Sequence, residues 1–464
     1  MRGLLMFVVL CVLSMAACSN NTSDGVDASN DAPADVQEAD TPTDINGTDE
    51  SVSDQSSDAG SLSRPNILLI ISDDQGLDAS SQYSVGTDLP NTPVLDALAE
   101  RGVVFDNAWA TPACTTTRGT LITGLHGVHS GVDTVPDLLD PDQLTLHDHF
   151  SDQAPEYATA IIGKWHLGGR NPDLNGPAQS GVTYYAGTIA GVVEDYWGWT
   201  LTSQGQQSAS TTYHTTAMTD LAIDWIGQQQ QKPWFLWLAY VAPHRPFHLP
   251  PSNLHARTLS GEPSDIRANP RPYYLAAIEA MDAEIGRLLS ALPPSTRART
   301  LVVFVGDNGT PTQAVDASVF SPSHSKNSLY EGGVRVPLIA SGAGVSRSGE
   351  REEALVNTVD FFPTFADVAG ASAPLQALDG VSFHGLLSDP QASSRTHNYT
   401  EFDTAQTSGW AVRNATHKLI EFSDGTRELY DLSVDLAEQD NLIADPAYAD
   451  LIEELAAFAA QVRE

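Results

Sequence analysis

Two pairs of oxygen-bearing side chains in this sequence could together bind a hard metal ion. Asp73 and Asp74 form one pair, and Asp307 and Asn308 form the other. Three carboxylates and an amide oxygen favour Ca²⁺ or Mg²⁺ over zinc, whose sites usually contain cysteine or histidine. Each pair alone is more often a helix cap or a turn. A metal site therefore requires that the fold bring the two pairs together.

Cys114 is the only thiol in the body of the chain. The other two cysteines, Cys11 and Cys18, lie in the N-terminal leader, so the folded part can form no internal disulfide. A lone cysteine is either a small buried residue or a reactive group. The sequence around Cys114 has to decide between the two.

Lysine is scarce in this strongly acidic chain. The formal net charge of the 464 residues is −36, and the lysines are Lys164, Lys232, Lys326 and Lys418. Such a charge repels phosphates, which excludes non-specific binding of nucleic acid. A lysine is usually a solvated surface charge, but in a chain that otherwise avoids lysine each position is informative.

Alternating strand and helix patterns must position these residues. Continuous apolar runs predict parallel strands that are buried on both faces, at residues 66–71, 158–162, 234–240 and 301–305. Helical patterns lie between these runs, notably at residues 214–228 and 273–292. The alternation predicts an α/β fold with a large, doubly wound mixed sheet that is flanked by helices.

Polar residues follow each of the four predicted strands. In chain order they are Asp73, Asp74, Lys164, His166, His244, Asp307 and Asn308. Ligands in such folds bind at the carboxyl ends of the strands. Carboxylates, histidines and a lysine that converge on four strand ends therefore predict an active site at this edge of the sheet.

The pattern of predicted strands and helices changes after about residue 385. Short strand-like pieces between residues 410 and 430 precede a final helix near residues 448–462. This pattern predicts a small C-terminal antiparallel sheet plus helix, packed on the main domain. We therefore predict a catalytic domain of residues 64–385 and a C-terminal subdomain of residues 386–464.

The N-terminal segment has the features of an exported lipoprotein. A basic start and an apolar run precede Met15-Ala-Ala-Cys18, which resembles a bacterial lipobox and predicts a signal peptide over residues 1–17. Residues 18–63 hold eleven acidic residues and no lysine or arginine, which predicts a disordered tether. We expect a protein anchored by lipid at Cys18 to the bacterial outer membrane or cell surface, with the periplasm as the other possibility.

Six motifs follow one another between Pro65 and Pro337. They are Pro65-Asn-Ile with Asp73-Asp74; Cys114-Thr-Thr-Thr-Arg118 running into Leu121-Ile-Thr-Gly124; Gly163-Lys-Trp-His-Leu-Gly168; Ala242-Pro-His-Arg-Pro246; Gly306-Asp-Asn-Gly309; and Lys326-Asn-Ser-Leu-Tyr-Glu-Gly-Gly-Val-Arg-Val-Pro337. In this order and spacing they resemble the sulfatase family of the alkaline-phosphatase-like superfamily. The resemblance implies that fold and a sulfuric ester hydrolase that acts on a small-molecule or polysaccharide sulfate ester.

The resemblance also implies a modified cysteine and a bound metal. Cys114 would be oxidised to formylglycine by a formylglycine-generating enzyme, and one hydroxyl of its hydrate would attack the sulfur of the ester. Asp73, Asp74, Asp307 and Asn308 would bind one Ca²⁺, with residue 114 as a further ligand. Mg²⁺ is the less favoured ion.

The same resemblance assigns roles to five other residues. Arg118, one helical turn after the cysteine, orients the hydrate. Lys164 and Lys326 hold sulfate oxygens and offset charge on the leaving group. His244 protonates the departing alcohol, while His166 deprotonates the second hydroxyl, which releases inorganic sulfate and regenerates the aldehyde.

Thr116 and Thr117 depart from the family pattern. They stand where the family has Pro, or sometimes Ala, and Ser. The Pro position helps the maturation enzyme recognise the unfolded motif, so conversion of Cys114 is the step that the sequence leaves open. Two alternatives remain: a phosphodiester or phosphonate monoester hydrolase of the same superfamily, and an unmodified, inactive lipoprotein that binds sulfated glycans.

A Gly- and Thr-rich insertion covers residues 170–213. Two roles stay open for its aromatic residues, stacking on a sugar and packing within the loop. These residues are Tyr184, Tyr185, Trp197 and Trp199. Because specificity in this architecture lies in loops, the sequence does not identify the natural ester.

Overall fold

The computed structural model describes residues 64–229 and 232–464. The predicted signal peptide, Cys18 and the acidic tether lie outside these residues and stay predictions. Over the described residues the chain forms fourteen strands and twelve α-helices. None of the helices in those ranges is both long enough and apolar enough to cross a bilayer.

Ten of the described strands form one large mixed sheet. They are β1 (Asn66–Ser72), β2 (Gly102–Trp109), β3 (Ala158–Lys164), β4 (Tyr185–Thr188), β5 (Trp199–Ser203), β6 (Gln206–Ser210), β7 (Trp234–Ala239), β8 (Thr300–Gly306), β9 (Leu338–Gly342) and β10 (Glu350–Asn357). Their order across the sheet is β10-β2-β9-β8-β1-β7-β3-β4-β5-β6. β9 runs antiparallel to both of its neighbours, while β8, β1, β7 and β3 are mutually parallel.

The strands are joined and flanked by twelve α-helices over the described residues. They are α1 (Pro93–Glu100), α2 (Cys114–Thr123), α3 (Gly127–Ser130), α4 (Leu146–Gln153), α5 (Gly176–Gln179), α6 (His214–Gln228), α7 (Pro263–Ala268), α8 (Pro270–Ala291), α9 (Pro294–Ala298), α10 (Glu331–Val334), α11 (Phe361–Val368) and α12 (Ala449–Val462).

The alternating side chains of β1 show how the sheet builds two cores. Ile67, Leu69 and Ile71 pack in the core that contains residues of α2, α4 and α11. Leu68 and Ile70 face the other way, into the core formed with α1, α6 and α8. Because both faces of a central parallel strand are buried, its sequence is apolar throughout. The predicted doubly wound mixed sheet is confirmed.

A second sheet of four antiparallel strands lies near the C-terminus. Its strands are β11 (Asn398–Asp403), β12 (Ser408–Arg413), β13 (His417–Phe422) and β14 (Arg427–Asp431). One face packs on Trp109 and Leu329 of the main domain, and the other packs on α12. The predicted small sheet plus helix is confirmed, whereas the domain boundary between residues 385 and 386 stays a prediction.

Candidate active site

Four neighbouring strands present their carboxyl ends at one edge of the large sheet. β8, β1, β7 and β3 are adjacent and parallel, so the residues that follow them meet there. The structure brings together every residue predicted to act in the site. These are Asp73, Asp74, Cys114, Arg118, Lys164, His166, His244, Asp307, Asn308 and Lys326.

The two predicted metal-binding pairs lie in direct contact. The backbone amide of Asp74 donates to Oδ1 of Asp307 over 2.9 Å. The side-chain amide of Asn308 donates to Oδ1 of Asp74, also over 2.9 Å. Asp73 and these three residues are buried, so the site is a closed cluster of carboxylates at the edge of the sheet.

Three cationic side chains offset these carboxylates. Nζ of Lys164 lies 2.6 Å from Oδ2 of Asp73, and Nη2 of Arg118 lies 2.8 Å from Oδ2 of Asp307. Lys326 donates to Oδ1 of Asp74. Arg118 also donates from Nη1 to the carbonyl oxygen of Lys164 over 2.9 Å, which fixes its guanidinium in place.

Two oxygens of this cluster are buried without a hydrogen-bond partner. They are Oδ1 of Asp73 and Oδ1 of Asn308. Ligand atoms of Asp73, Asp307 and Cys114 lie within 4.8 Å of one another, as do those of Asp73, Asp74 and His244. An unpaired buried acceptor is costly, and a hard cation takes oxygen ligands of this kind. The donor set therefore fits Ca²⁺ or Mg²⁺.

The carboxylates of the cluster differ in their proton affinity. Burial, and then the charge of Asp73, raises the pKa of Asp307 to about 6. Burial also raises the pKa of Asp73. Burial alone would raise the pKa of Asp74, but Lys326 and His244 beside it hold that pKa well below its usual range. At Asp73 and Asp307 burial thus outweighs the nearby cations, and a bound metal cation would oppose both increases in pKa.

Cys114 is the first residue of α2 and is buried at the site. Its Sγ lies 3.3 Å from Nδ1 of His166. Burial raises the pKa of this thiol. The N-terminal end of α2 places the positive end of the helix dipole at residue 114, which suits an anionic substrate.

The two threonines that depart from the family pattern anchor the start of α2. Thr116 donates from Oγ1 to the carbonyl oxygen of Ala113 over 2.8 Å. Oγ1 of Thr117 accepts from the backbone amide of Thr111 over 3.0 Å. Their hydroxyls are thus satisfied within this turn.

The two histidines flank the cysteine and the carboxylates. Nδ1 of His244 donates to the carbonyl oxygen of Arg245 over 2.7 Å, which leaves Nε2 to face Oδ2 of Asp74 at 3.7 Å. Nε2 of His166 lies 3.2 Å from Oγ1 of Thr115. Burial lowers the pKa of His244 to about 3 and holds that of His166 well below its usual range. A bound anion would oppose both shifts.

A cavity of about 650 Å³ opens above these groups. Asp74, Cys114, His166, His244 and Lys326 are among its lining residues. Residues 170 and 189–192 of the predicted insertion line it as well, whereas the aromatic residues of that insertion do not. The insertion therefore shapes the cavity with small, apolar and basic side chains.

Four further residues belong to the site although the sequence analysis gave them no role. Tyr274 donates from its hydroxyl to the carbonyl oxygen of Asp74 over 2.7 Å, and Thr115 contacts His166. Arg170 and Arg245 line the cavity. Arg245 and Thr115 could have been found, because they lie within the motifs that contain His244 and Cys114. Arg170 and Tyr274 carry no sequence signal beyond their residue type.

The fold agrees with comparisons to known proteins. The family model for Sulfatase matches residues 65–371, and that for N-sulphoglucosamine sulphohydrolase, C-terminal, matches residues 323–464. Arylsulfatase J of Mus musculus is 28% identical over 387 residues, which cover 77% of this chain but only 62% of that protein. Arylsulfatase A of Bos taurus is 29% identical over 414 residues, which cover 78% of this chain and 76% of that protein.

Solved structures share the whole architecture. Ps i-CgsB in complex with k-i-k-neocarrahexaose superposes with a TM-score of 0.72 at 23% identity, covering 86% of this chain and 93% of that one. BT4656 in complex with its substrate D-Glucosamine-2-N, 6-O-disulfate gives a TM-score of 0.69 at 22% identity, covering 86% and 97%. With a family model that spans most of the described catalytic region, this chain belongs to the sulfatase family, whose members are sulfuric ester hydrolases.

Proposed function

We propose that this protein hydrolyses sulfate esters of sugars through a formylglycine derived from Cys114, with one bound Ca²⁺. The observation that carries the proposal is that Cys114 and Lys326 line one cavity and lie against the carboxylate cluster, which holds Lys164 and two unpaired buried oxygens. In the overall reaction the ester S–O bond breaks. Water supplies oxygen to the sulfur and a proton to the alcohol, and inorganic sulfate leaves. The similar BT4656 structure, which holds a disulfated glucosamine, supports a sulfated sugar as the substrate.

Asp73, Asp74, Asp307 and Asn308 would hold the metal, together with residue 114. When bound, Ca²⁺ would offset the charge of the sulfate and make a coordinated hydroxyl more acidic. A formylglycine hydrate would supply two hydroxyls on one carbon, which an unmodified cysteine lacks.

The chain's own residues bind the sulfate group and transfer the protons that the reaction requires. Lys164 and Lys326 are held by carboxylates at fixed positions, so they can stabilise negative charge without reorganisation. Arg118 is locked by two hydrogen bonds and orients residue 114. His166 lies beside residue 114 and can take a proton from it. His244 presents Nε2 to the cavity, where the leaving alcohol needs a proton.

Mass spectrometry of the tryptic peptide that contains Cys114 tests the proposal. Protein made with native maturation is expected to show a loss of about 18 Da, the difference between cysteine and the aldehyde that becomes the nucleophile. Thr116→Pro restores the residue of the family pattern that helps the maturation enzyme recognise the motif, so it should convert at least as fully. The fold should tolerate this change, because the first-turn amides of a helix have no intrahelical acceptor.

Turnover of an aryl sulfate should require both the 18 Da loss and Ca²⁺, and Cys114→Ala should abolish it. Faster turnover of an aryl phosphodiester would favour the other hydrolase of the superfamily. An unmodified thiol in all preparations, with binding of sulfated glycans but no turnover, would establish the inactive lipoprotein instead.

A further inference from the structure

We infer that the cavity selects sulfate esters that carry a second anionic group, a sulfate or a carboxylate, and that Arg170 and Arg245 bind this group. The inference rests on the proposed function and adds the substrate class. Both arginines line the same cavity of about 650 Å³ as Cys114. Both are also exposed to solvent.

The first observation is that these two guanidinium groups have no partner. Over residues 64–229 and 232–464, neither side chain has a hydrogen bond or an ion pair to another residue. The chain has 59 acidic and 23 basic residues, so a carboxylate is available to most arginines. Many arginines accordingly form ion pairs, among them Arg118, Arg257, Arg271, Arg347 and Arg395.

The second observation is that the inner cations of the site are already paired. Lys164, Lys326 and Arg118 each contact a carboxylate of the metal-binding cluster. In the proposed reaction these three cations act at the sulfate ester that is hydrolysed. Arg170 and Arg245 have no such carboxylate, so their charge is free to bind an anion elsewhere on the substrate. A guanidinium suits this role, because its planar donors match both sulfate and carboxylate.

The third observation is that both side chains extend from anchored backbone. The amide of Gly169, which precedes Arg170, donates to the carbonyl oxygen of Asp137 over 2.9 Å. The carbonyl oxygen of Arg245 accepts from Nδ1 of His244 over 2.7 Å. The side chain of Arg245 therefore extends from backbone that is fixed next to His244, a predicted catalytic residue. A second anion on the same sugar or on the neighbouring sugar can reach the guanidinium.

Three matched disaccharides test the inference: a monosulfate with no other charged group, the same sugar with a second sulfate, and the same monosulfate with a uronic acid. The wild type is expected to show a kcat/KM at least tenfold higher for the dianionic substrates. Arg170→Gln and Arg245→Gln should each lower this preference several-fold. The matched control is Arg267→Gln, which removes the same charge at an exposed position outside the cavity and should keep the preference.

A binding measurement separates this inference from the proposed function. Calorimetry on the Cys114→Ala protein reports Kd for the same three sugars without any turnover. Loss of the dianion preference in Arg170→Gln or Arg245→Gln supports the inference even if no sulfate ester is hydrolysed. The inference would be overturned if the Cys114→Ala protein, with both arginines intact, bound the monosulfate and both dianions with equal Kd. A preference that 0.5 M salt leaves unchanged would also overturn it, because exposed charges are screened within about 4 Å to 5 Å at that ionic strength.

Discussion

Asp73 and Asn308 each keep one buried side-chain oxygen without a hydrogen-bond donor. Because a bound metal would satisfy both oxygens, we predict that the free energy of unfolding depends on the metal. A ligand that binds only the native state stabilises it by about 2.7 kcal/mol at a hundred times its Kd. We expect Ca²⁺ to raise the free energy of unfolding of the wild type by about that amount in urea titrations. Asp73→Asn removes one charged ligand and should lose most of this gain.

Asp152→Asn is the matched control for this experiment, because Asp152 is exposed at the end of α4. It should keep the full Ca²⁺ effect. Equal stability of the wild type with Ca²⁺ and with a chelator would contradict the metal site, whatever the state of Cys114.

The lysines show how far residue types alone can locate a site. The scarcity of lysine pointed to Lys164 and Lys326, and both lie in the carboxylate cluster. Lys418 is just as deeply buried, but it pairs with Glu331 and Glu438 at the C-terminal sheet. Three of the four lysines are thus paired with carboxylates, whereas Lys232 is exposed, so scarcity favoured a paired lysine without guaranteeing one. It did not distinguish a lysine in the active site from one that holds two parts of the protein together.

At the scale of elements, the sequence predicted the four central strands, the two long helices and the C-terminal sheet plus helix, but it missed several other strands. The four central strands were visible as apolar runs, and α6 begins and ends at the predicted residues 214 and 228. Strands β5 and β6 went unpredicted, because they are polar and partly exposed at the edge of the sheet. β11 was missed as well, since its sequence mixes polar and apolar residues although it is buried.

The start of α1 is capped by a residue that is distant in the sequence. Thr92 occupies the N-cap position but makes no side-chain capping hydrogen bond. The carboxylate of Asp282 on α8 accepts from the amides of Val94 and Leu95 instead, over 3.0 Å and 2.8 Å. A cap supplied by a residue 188 positions away along the chain has no local sequence signal.

This cap predicts a pH dependence of stability. Burial raises the pKa of Asp282 to about 7, whereas an unfolded aspartate titrates near 4. Between about pH 4 and pH 7 the native state keeps a proton that the unfolded chain has lost. The contribution of Asp282 to stability is therefore present at low pH and is lost as the pH rises through this window.

Asp282→Asn lacks this titration. We expect its stability relative to the wild type to rise with pH between 5 and 7, by up to about 1 kcal/mol per pH unit. Urea titrations across this range measure the difference, with Asp152→Asn as the comparison. A parallel pH profile for the wild type and Asp282→Asn would show that Asp282 does not retain its proton.

At the scale of the whole molecule, a buried ionic network joins the C-terminal sheet to the catalytic region. Nζ of Lys418 on β13 lies 3.2 Å from Oε1 of Glu331 and 2.8 Å from Oε1 of Glu438. Trp109 donates from Nε1 to the same oxygen of Glu331 over 3.0 Å. Glu331 begins α10, five residues after Lys326. The C-terminal sheet therefore supports the segment that brings Lys326 to Asp74.

Lys418→Met tests this support, because methionine keeps the length and apolar stem of lysine without its charge. Removal of one partner from a buried ion pair costs about 3 kcal/mol to 5 kcal/mol. Here Glu438 would lose its ion-pair partner, while Glu331 would keep only Arg335 and Arg413, each at 3.5 Å. Lys418 also lies 4.8 Å from the centre of the Trp109 ring, a cation–π contact that methionine cannot replace. We expect a loss of unfolding free energy of about 3 kcal/mol in urea, against a negligible change for Lys232→Met, whose lysine is exposed. If both variants unfolded at the wild-type midpoint, apolar packing alone would hold the C-terminal sheet in place.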